Sequence, residues 1–375
     1  MGDRVSAPRV AEPHSTGGAA AHSSGRALVV FVVLAYGLSW AWVIPMVVGH
    51  QVVKGGQGWP THYPALFGPA VAAILVVAAT SARAGIGDLL RRVVLWRVGW
   101  RWWLVALSPA GFLGIALLAS GATGSELPRV ADFGLFSGVP PAGLLGVSGL
   151  IVIGALGEEI GWRGFALPAL QRRFSPLVAS LILAGIWALW HVPQFFVIAT
   201  YRSFGVAQSV GFVFALTCGA IVLTCLYNRS GGSILLVAVW HGLFNLVSGT
   251  AAATGMTAAV VSTLVMVQAV LLVGLDIRAR HQGRPSPLGP LRRPGALPEL
   301  SHAPAKRPGR RPLSEGDRSN RAAGQAARGS GDGTVRAVPR ARAGRSRPVG
   351  ASGRLGRPPV RHSQRPARTC ALRGP

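Results

Sequence analysis

The sequence predicts an all-α protein: a polytopic transmembrane helical bundle of about eight spans, followed by a disordered basic C-terminal tail. Half of the 375 residues are hydrophobic and only 13% are charged, whereas about 25% are charged in a typical soluble protein. The apolar residues occur in blocks of about 20, the length of helix that crosses a bilayer. These blocks do not follow the period of an amphipathic helix or strand, which favours a membrane protein.

The chain divides by composition into three regions. Residues 1–26 are polar and rich in Ser, Ala and Gly, and are expected to be a disordered cytoplasmic tail. Residues 27–275 contain the apolar blocks and are expected to form the membrane domain. Residues 276–375 are rich in Arg, Pro and Gly, a composition that cannot bury enough apolar surface to fold. A cleaved signal peptide is a weaker interpretation of the N-terminus, since the following apolar run is long enough to span.

The strong positive charge of the chain belongs mainly to this C-terminal tail. Residues 276–375 contain 23 of the 38 Lys and Arg residues and 5 of the 12 Asp and Glu residues, a net charge of +18. Such a segment could bind anionic lipid. A solvated extension is the favoured interpretation of the composition, and no specific nucleic-acid binding is predicted.

Loop charge predicts how the spans are oriented. The candidate spans are residues 27–48, 63–82, 102–120, 142–167, 176–198, 208–228, 233–251 and 255–275. Arginine is concentrated in alternate loops, at Arg83, Arg91, Arg92, Arg97, Arg101, Arg172, Arg173 and Arg229. Positively charged loops remain on the cytoplasmic side. We therefore expect a multi-pass protein of a bacterial-type plasma membrane with both termini in the cytoplasm.

The fourth span contains two adjacent carboxylates and an arginine after a run of fifteen residues without charge. Ionised side chains in hydrocarbon are costly, so Glu158, Glu159 and Arg163 suggest a functional site. Glu159 and Arg163 are four residues apart and share one helix face, which favours an ion pair. Adjacent helical residues point about 100° apart, so Glu158 is left free for chemistry.

Two later spans each contain one internal histidine. Trp187 precedes His191 by one helical turn and could form a wall of a pocket, and Asn245 follows His241 by one turn. Counting about 1.5 Å per residue from the arginine-bearing loops places Glu158 and both histidines at similar depths. We therefore predict one cavity that faces the cytoplasm. Each group also has a structural explanation, as an ion-pair clamp, a packing residue or an interhelical hydrogen bond, but their joint occurrence favours a site.

These three motifs resemble those of a known family. Glu-Glu-x-x-x-Arg, aromatic-x-x-x-His and His-x-x-x-Asn on successive apolar segments are similar to the motifs of the CPBP intramembrane proteases. This is the CAAX protease and bacteriocin-processing family, also called Abi, and it includes the type II CAAX prenyl endopeptidases. The similar core covers about 27–275. The second motif departs from the family pattern, because Trp187 occupies a position where Phe is usual.

The resemblance implies peptide-bond hydrolysis within the membrane. It assigns the catalytic residues as Glu158, Glu159, Arg163, His191, His241 and Asn245. Glu158 and His191 would activate a water molecule, and His241 and Asn245 would stabilise the oxyanion. The expected partners are the lipid bilayer and a peptide or membrane-protein substrate.

Three alternatives remain open from the sequence. A zinc-dependent mechanism would use Glu158, His191 and His241 as ligands, although no His-Glu-x-x-His motif is present and no cofactor is favoured. A non-catalytic scaffold or immunity protein could share the fold. A proton-coupled transporter would more often show repeated halves, which this chain lacks. The three cysteines, Cys218, Cys225 and Cys370, show neither metal-binding spacing nor a disulfide framework.

Overall fold

The computed structural model describes residues 16–290, and this part of the chain forms a bundle of α-helices. Its helices are α1 (Thr16–Val48), α2 (Gly68–Val93), α3 (Trp100–Ala106), α4 (Ser108–Thr123), α5 (Gly143–Gly161), α6 (Leu167–Gln171), α7 (Pro176–Trp190), α8 (Ala199–Arg202), α9 (Val206–Arg229), α10 (Ile234–Ser248) and α11 (Gly255–His281). Short 3₁₀ helices and one π-helical turn join some of them. The predicted all-α membrane-bundle class is confirmed.

The number of spans differs slightly from the eight that the sequence suggested. Among residues 16–290, six helices are long and apolar enough to cross a membrane. The predicted span 102–120 is instead a pair of helices, α3 and α4, with a bend of 51° between them. Pro109 lies at the start of α4, where a proline cannot continue the hydrogen bonds of the preceding helix. The predicted span 233–251 is α10, whose 15 residues rise only about 22 Å.

Helix starts follow local sequence signals on the two helices that contain the histidines. Ser175 and Ser233 are the N-cap residues of α7 and α10, and each hydroxyl accepts a hydrogen bond from a backbone N–H, of Val178 and Leu236 respectively. Such caps satisfy N–H groups that lack a partner in the helix. The caps fix where each helix begins, and hence where His191 and His241 lie along it.

Close helix contacts at α5 depend on glycine. A Cβ atom on Gly161 would lie 2.5 Å from Pro69 Cβ, and one on Gly242 would lie 2.7 Å from Val152 Cγ2. The first contact joins α5 to α2 and the second joins α10 to α5. Without side chains at these positions, the backbones approach closely, as is common in membrane bundles. Glu158 and Glu159 therefore lie on a helix enclosed between α2 and α10.

The two ends of the bundle differ in character. At one end, short β-bridges pair Val53 with Ile198, Gly55 with Ser137, and Phe136 with Thr250. We call this end, made of residues 50–62, 135–139, 196–204 and 249–253, the loop cluster. At the other end, the arginine-bearing loops are joined by side-chain bonds. Arg92 Nη1 donates to the Tyr227 hydroxyl at 2.7 Å, and the Ser233 hydroxyl donates to the Leu95 carbonyl at 2.6 Å.

The predicted domain boundaries at residues 26 and 275 both fall inside helices. Helix α1 begins at Thr16, and α11 continues to His281. The rest of the predicted tails, residues 1–15 and 291–375, lies outside the described residues.

Residues 284–290 extend the folded region beyond the last helix. The Asn228 amide donates to the Leu288 carbonyl at 2.6 Å, and the Leu288 side chain is fully buried. Asp276, also fully buried, accepts hydrogen bonds from Arg280 Nε and from the Ser286 hydroxyl. This strap, residues 284–290, therefore belongs to the membrane domain rather than to the tail.

We predict that ending the chain at Arg280 destabilises the protein, because it removes the buried Leu288 and leaves the Asn228 amide without its partner. Burial of one leucine contributes about 1.5–3 kcal/mol, and an unpaired buried amide adds about 1–3 kcal/mol to the loss. Thermal melting in detergent measures the effect. A chain ending at Pro290 is the control and should melt like the full-length protein. Equal melting of both truncations would show that the strap contributes nothing.

Candidate active site

Glu158 and Glu159 lie near the C-terminal end of α5, and both are buried. The helix then changes pitch, because Trp162–Ala166 form a π-helical turn. Single π-turns inside α-helices are frequent at functional sites. The turn contains Arg163, so it helps to set how the guanidinium meets the preceding carboxylates. This turn was not predicted from the sequence.

Glu159 is fully buried and bonded to two basic groups. Its Oε1 atom lies 2.9 Å from Arg163 Nη1 and 2.9 Å from His241 Nδ1. The first contact is the helical pair predicted from the i, i+4 spacing. The second joins α5 to α10 and was not predicted. Because a carboxylate can only accept here, His241 donates from Nδ1, and its Nε2 atom remains available.

Glu158 makes a different contact, as its different direction from the helix requires. Its Oε2 atom accepts a hydrogen bond of 2.8 Å from Trp187 Nε1, and the residue is 4% exposed. No ion pair with Glu158 is present among residues 16–290. The two adjacent glutamates therefore have separate environments: Glu159 is bound to cations, whereas Glu158 is held by one neutral donor.

His191 caps the C-terminus of α7, where its Nδ1 atom lies 2.8 Å from the Trp187 carbonyl oxygen. A carbonyl can only accept, so Nδ1 carries the proton and Nε2 keeps its lone pair when the ring is neutral. His191 also interacts electrostatically with His241. The two imidazoles thus belong to one cluster, as predicted. Asn245 is partly exposed and lies one turn beyond His241 on α10.

Trp187 connects the members of this cluster. Its ring centroid lies 5.7 Å from that of His191 and 5.3 Å from that of His241. The Arg163 guanidinium carbon lies 4.5 Å from the indole centroid, a cation–π distance. The sequence predicted Trp187 only as a pocket wall. The phenylalanine usual in the resembling family has no N–H, so the bond to Glu158 is a consequence of tryptophan at this position.

The described residues do not present a set of ligands for zinc. No group of three or more His, Cys, Asp or Glu side chains in 16–290 is arranged to hold a metal ion. Glu159, rather than Glu158, lies against His241, and Glu158 is bonded to an indole. This donor geometry does not fit the predicted ligands Glu158, His191 and His241. The free thiols Cys218 and Cys225 are buried in α9.

Two further polar residues near the site were not predicted. Tyr201, on α8, interacts electrostatically with Glu158, and burial together with this carboxylate raises the pKa of its hydroxyl. His62, in the loop before α2, interacts electrostatically with His191. Both belong to the loop cluster, and neither has a sequence signal, since they approach the site only through the folding of loops.

The site lies closer to the loop cluster than to the arginine-bearing end. Helix α7 starts at Pro176, beside the arginine-bearing loop, and His191 is at its opposite end. The neighbours Tyr201 and His62 belong to the loop cluster, as already described. The expectation of a cavity facing the arginine-bearing side is not supported by these neighbours.

The fold and this cluster define an integral, multi-pass membrane protein with a glutamate–histidine site inside its helices. Comparison with known proteins identifies the class more closely. Residues 139–247 match the family model described as type II CAAX prenyl endopeptidase Rce1-like. A CAAX prenyl protease 2 from Methanococcus maripaludis is 38% identical over 103 residues.

Residues 139–247 contain all six predicted site residues. The match to the Methanococcus protein covers 26% of this chain and 37% of that relative, so the chain spans well under half of the relative's length. These findings confirm the predicted resemblance to the CAAX proteases, which lies in residues 139–247.

We predict that substitutions at Arg163 and at Glu158 affect the stability of the protein differently, because only Glu159 is in an ion pair with Arg163. Arg163→Ala would leave Glu159 as a buried charge with only His241 beside it, and breaking a buried pair costs about 3–5 kcal/mol. We expect a large loss of thermal stability in detergent. Glu158→Gln keeps the shape and an acceptor oxygen for Trp187, so its melting temperature should change little. The assignment of roles is wrong if Glu158→Gln unfolds the protein while Arg163→Ala melts normally.

Proposed function

We propose that this protein is an intramembrane endopeptidase that hydrolyses a peptide bond with a water molecule activated by Glu158 and His191. The observation that carries the proposal is the arrangement around Trp187, whose indole ring lies beside both imidazoles and donates to the Glu158 carboxylate. A carboxylate without a cationic partner, next to two histidines with free Nε2 atoms, is a set suited to general acid–base chemistry.

In the first step, the nucleophilic water is bound between Glu158 and His191. His191 Nε2 accepts one hydrogen bond from the water, because Nδ1 is already donating to the Trp187 carbonyl. Glu158 takes the proton as the water oxygen attacks the scissile carbonyl carbon. The new C–O bond gives a tetrahedral intermediate whose oxygen bears the negative charge.

In the second step, the oxyanion is stabilised and the amine leaves. His241 donates from Nδ1 to Glu159, and a proton on its Nε2 atom would donate to the oxyanion. The Asn245 amide supplies a second donor from the same face of α10. Glu158 returns its proton to the leaving nitrogen as the C–N bond breaks, so the carboxylate is regenerated and no proton is gained or lost.

The substrate proposed is a peptide or membrane protein cut close to the membrane. The relative from Methanococcus is named a CAAX prenyl protease, so a peptide ending in a prenylated CAAX sequence is the first substrate to test. Hydrolysis inside a largely apolar bundle is consistent with a substrate that carries a lipid or an apolar segment.

The proposed orientation follows from charge rather than from the site. We propose that the arginine-bearing loops, and with them both termini, lie in the cytoplasm of a bacterial-type plasma membrane. The site would then lie nearer the opposite face, and the substrate would approach beneath the loop cluster or from within the bilayer.

Variants of the named residues test the mechanism on an internally quenched, prenylated CAAX peptide in detergent or proteoliposomes. Glu158→Gln and His191→Ala should abolish turnover, and Asn245→Ala should lower kcat about 100- to 1000-fold, the loss typical of one oxyanion donor. Glu126→Gln and His281→Ala, at exposed positions outside the predicted site, are the matched controls and should cleave normally.

Retained cleavage by Glu158→Gln would contradict the proposal. A chelator separates the zinc alternative, because a zinc enzyme loses activity on metal removal and recovers it on re-addition, whereas the glutamate–histidine mechanism is unaffected. A wild-type protein that cleaves neither this peptide nor any membrane protein would favour a scaffold or immunity role.

A further inference from the structure

His62 is a buried histidine whose ring has no hydrogen-bond partner among residues 16–290. It is 4% exposed, and its Nδ1 atom is buried without a partner. Leaving a buried polar group unpaired costs about 1–3 kcal/mol. Nearly all such groups in folded proteins are paired, so an exception calls for an explanation.

The backbone around His62 is held firmly in place. The Thr61 hydroxyl donates to the Gly138 carbonyl at 2.6 Å and accepts from the Tyr63 N–H at 3.0 Å. Trp42 Nε1 donates to the Thr61 carbonyl at 2.8 Å, and the Ala65 N–H donates to the His62 carbonyl at 2.9 Å. The main chain on both sides of the unpaired ring is therefore held by hydrogen bonds.

Gly138 lies beside one edge of the His62 ring. A Cβ atom on Gly138 would lie 3.1 Å from His62 Nδ1, so this nitrogen lies beside the glycine, and it has no hydrogen-bond partner among residues 16–290. Gly138 has a φ of +73°, which favours glycine and keeps this close approach open. The remaining polar atom of the ring is Nε2, which is not among the buried unpaired atoms.

His62 lies near the candidate catalytic cluster. It is close enough to His191 for the two imidazoles to interact electrostatically. Burial lowers the pKa of His62 to about 4, so the ring is neutral at physiological pH. A neutral imidazole beside His191 does not compete with Glu158 for the proton of the water, but it can offer one hydrogen bond.

We infer that His62 is a substrate-binding residue whose Nε2–H donates a hydrogen bond to a backbone carbonyl of the bound peptide, near the scissile bond. This inference rests on the proposed peptidase function. The proton is placed on Nε2 because no oxygen accepts from Nδ1. The bound peptide then accepts from Nε2–H, while Nδ1 keeps no partner among the described residues.

Binding of an uncleaved peptide tests this role directly. In the Glu158→Gln background, adding His62→Leu should weaken binding of the prenylated CAAX peptide about tenfold, the effect of one neutral hydrogen bond. His62→Gln can place an amide N–H near the position of Nε2 and should restore part of the affinity. His50→Asn, in the same loop but exposed, is the matched control, since asparagine tolerates the positive φ of 51° at that position.

Kinetics with Glu158 intact separate binding from chemistry. His62→Leu should raise KM about tenfold and leave kcat within about threefold, while its thermal stability stays at or above that of the wild type, because an unpaired buried group has been removed. Unchanged KM and unchanged peptide affinity in His62→Leu would overturn the inference, as would a loss confined to kcat.

These measurements also separate a failure of the role assigned to His62 from a failure of the proposed peptidase function. If wild type cleaves the peptide, Glu158→Gln does not, and His62→Leu behaves like wild type, only the role of His62 is wrong. If wild type neither binds nor cleaves the peptide, the proposed function and the role of His62 fail together.

Discussion

The buried contact of Glu159 with Arg163 and His241 is the interaction on which the rest of the site depends. Both Glu159 and Arg163 are fully buried, and taking such charges out of water costs several kcal/mol for each ion. Arg163 Nη1 lies 2.9 Å from Glu159 Oε1, and this attraction offsets part of that cost. His241 Nδ1 makes a second bond to the same oxygen. Arg163 follows Glu159 on the same chain segment, whereas His241 belongs to α10. The Glu159 carboxylate therefore balances the charge of Arg163 and also fixes α5 against α10.

This contact gives the two adjacent glutamates, Glu158 and Glu159, different roles. Glu159 binds Arg163 and His241. Glu158 points in a different direction from the helix and contacts Trp187 instead. Trp187 then contacts Glu158 through its N–H, and it contacts Arg163 and both histidines through its ring. A change in the position of the Trp187 side chain would therefore displace Glu158 and both histidines together. Trp187 itself takes no part in proton transfer.

Sequence reasoning was most successful where a relation lies within one helix. The Glu159–Arg163 pair follows from i, i+4 spacing, and the grouping of Glu158, His191 and His241 follows from counting residues along helices. It failed where the relation lies between elements. The Glu159–His241 bond, the Trp187–Glu158 bond and the approach of His62 and Tyr201 depend on packing that no spacing encodes. Two features of the fold, the bend between α3 and α4 and the strap at 284–290, were missed for a related reason. Hydropathy reports which segments are apolar, but it reports neither the angle between two helices nor whether one side chain such as Leu288 is buried.

The central claim, that Glu158 activates water and is not itself the nucleophile, is tested most directly by a single turnover in ¹⁸O-labelled water with enzyme in excess. Direct attack by water places one ¹⁸O atom in the new carboxylate of the product and leaves the Glu158 side chain unlabelled, as mass spectrometry of product and enzyme peptides would show. Transfer of ¹⁶O to the product with ¹⁸O appearing in the Glu158 carboxylate would reveal a covalent acyl intermediate and contradict the account.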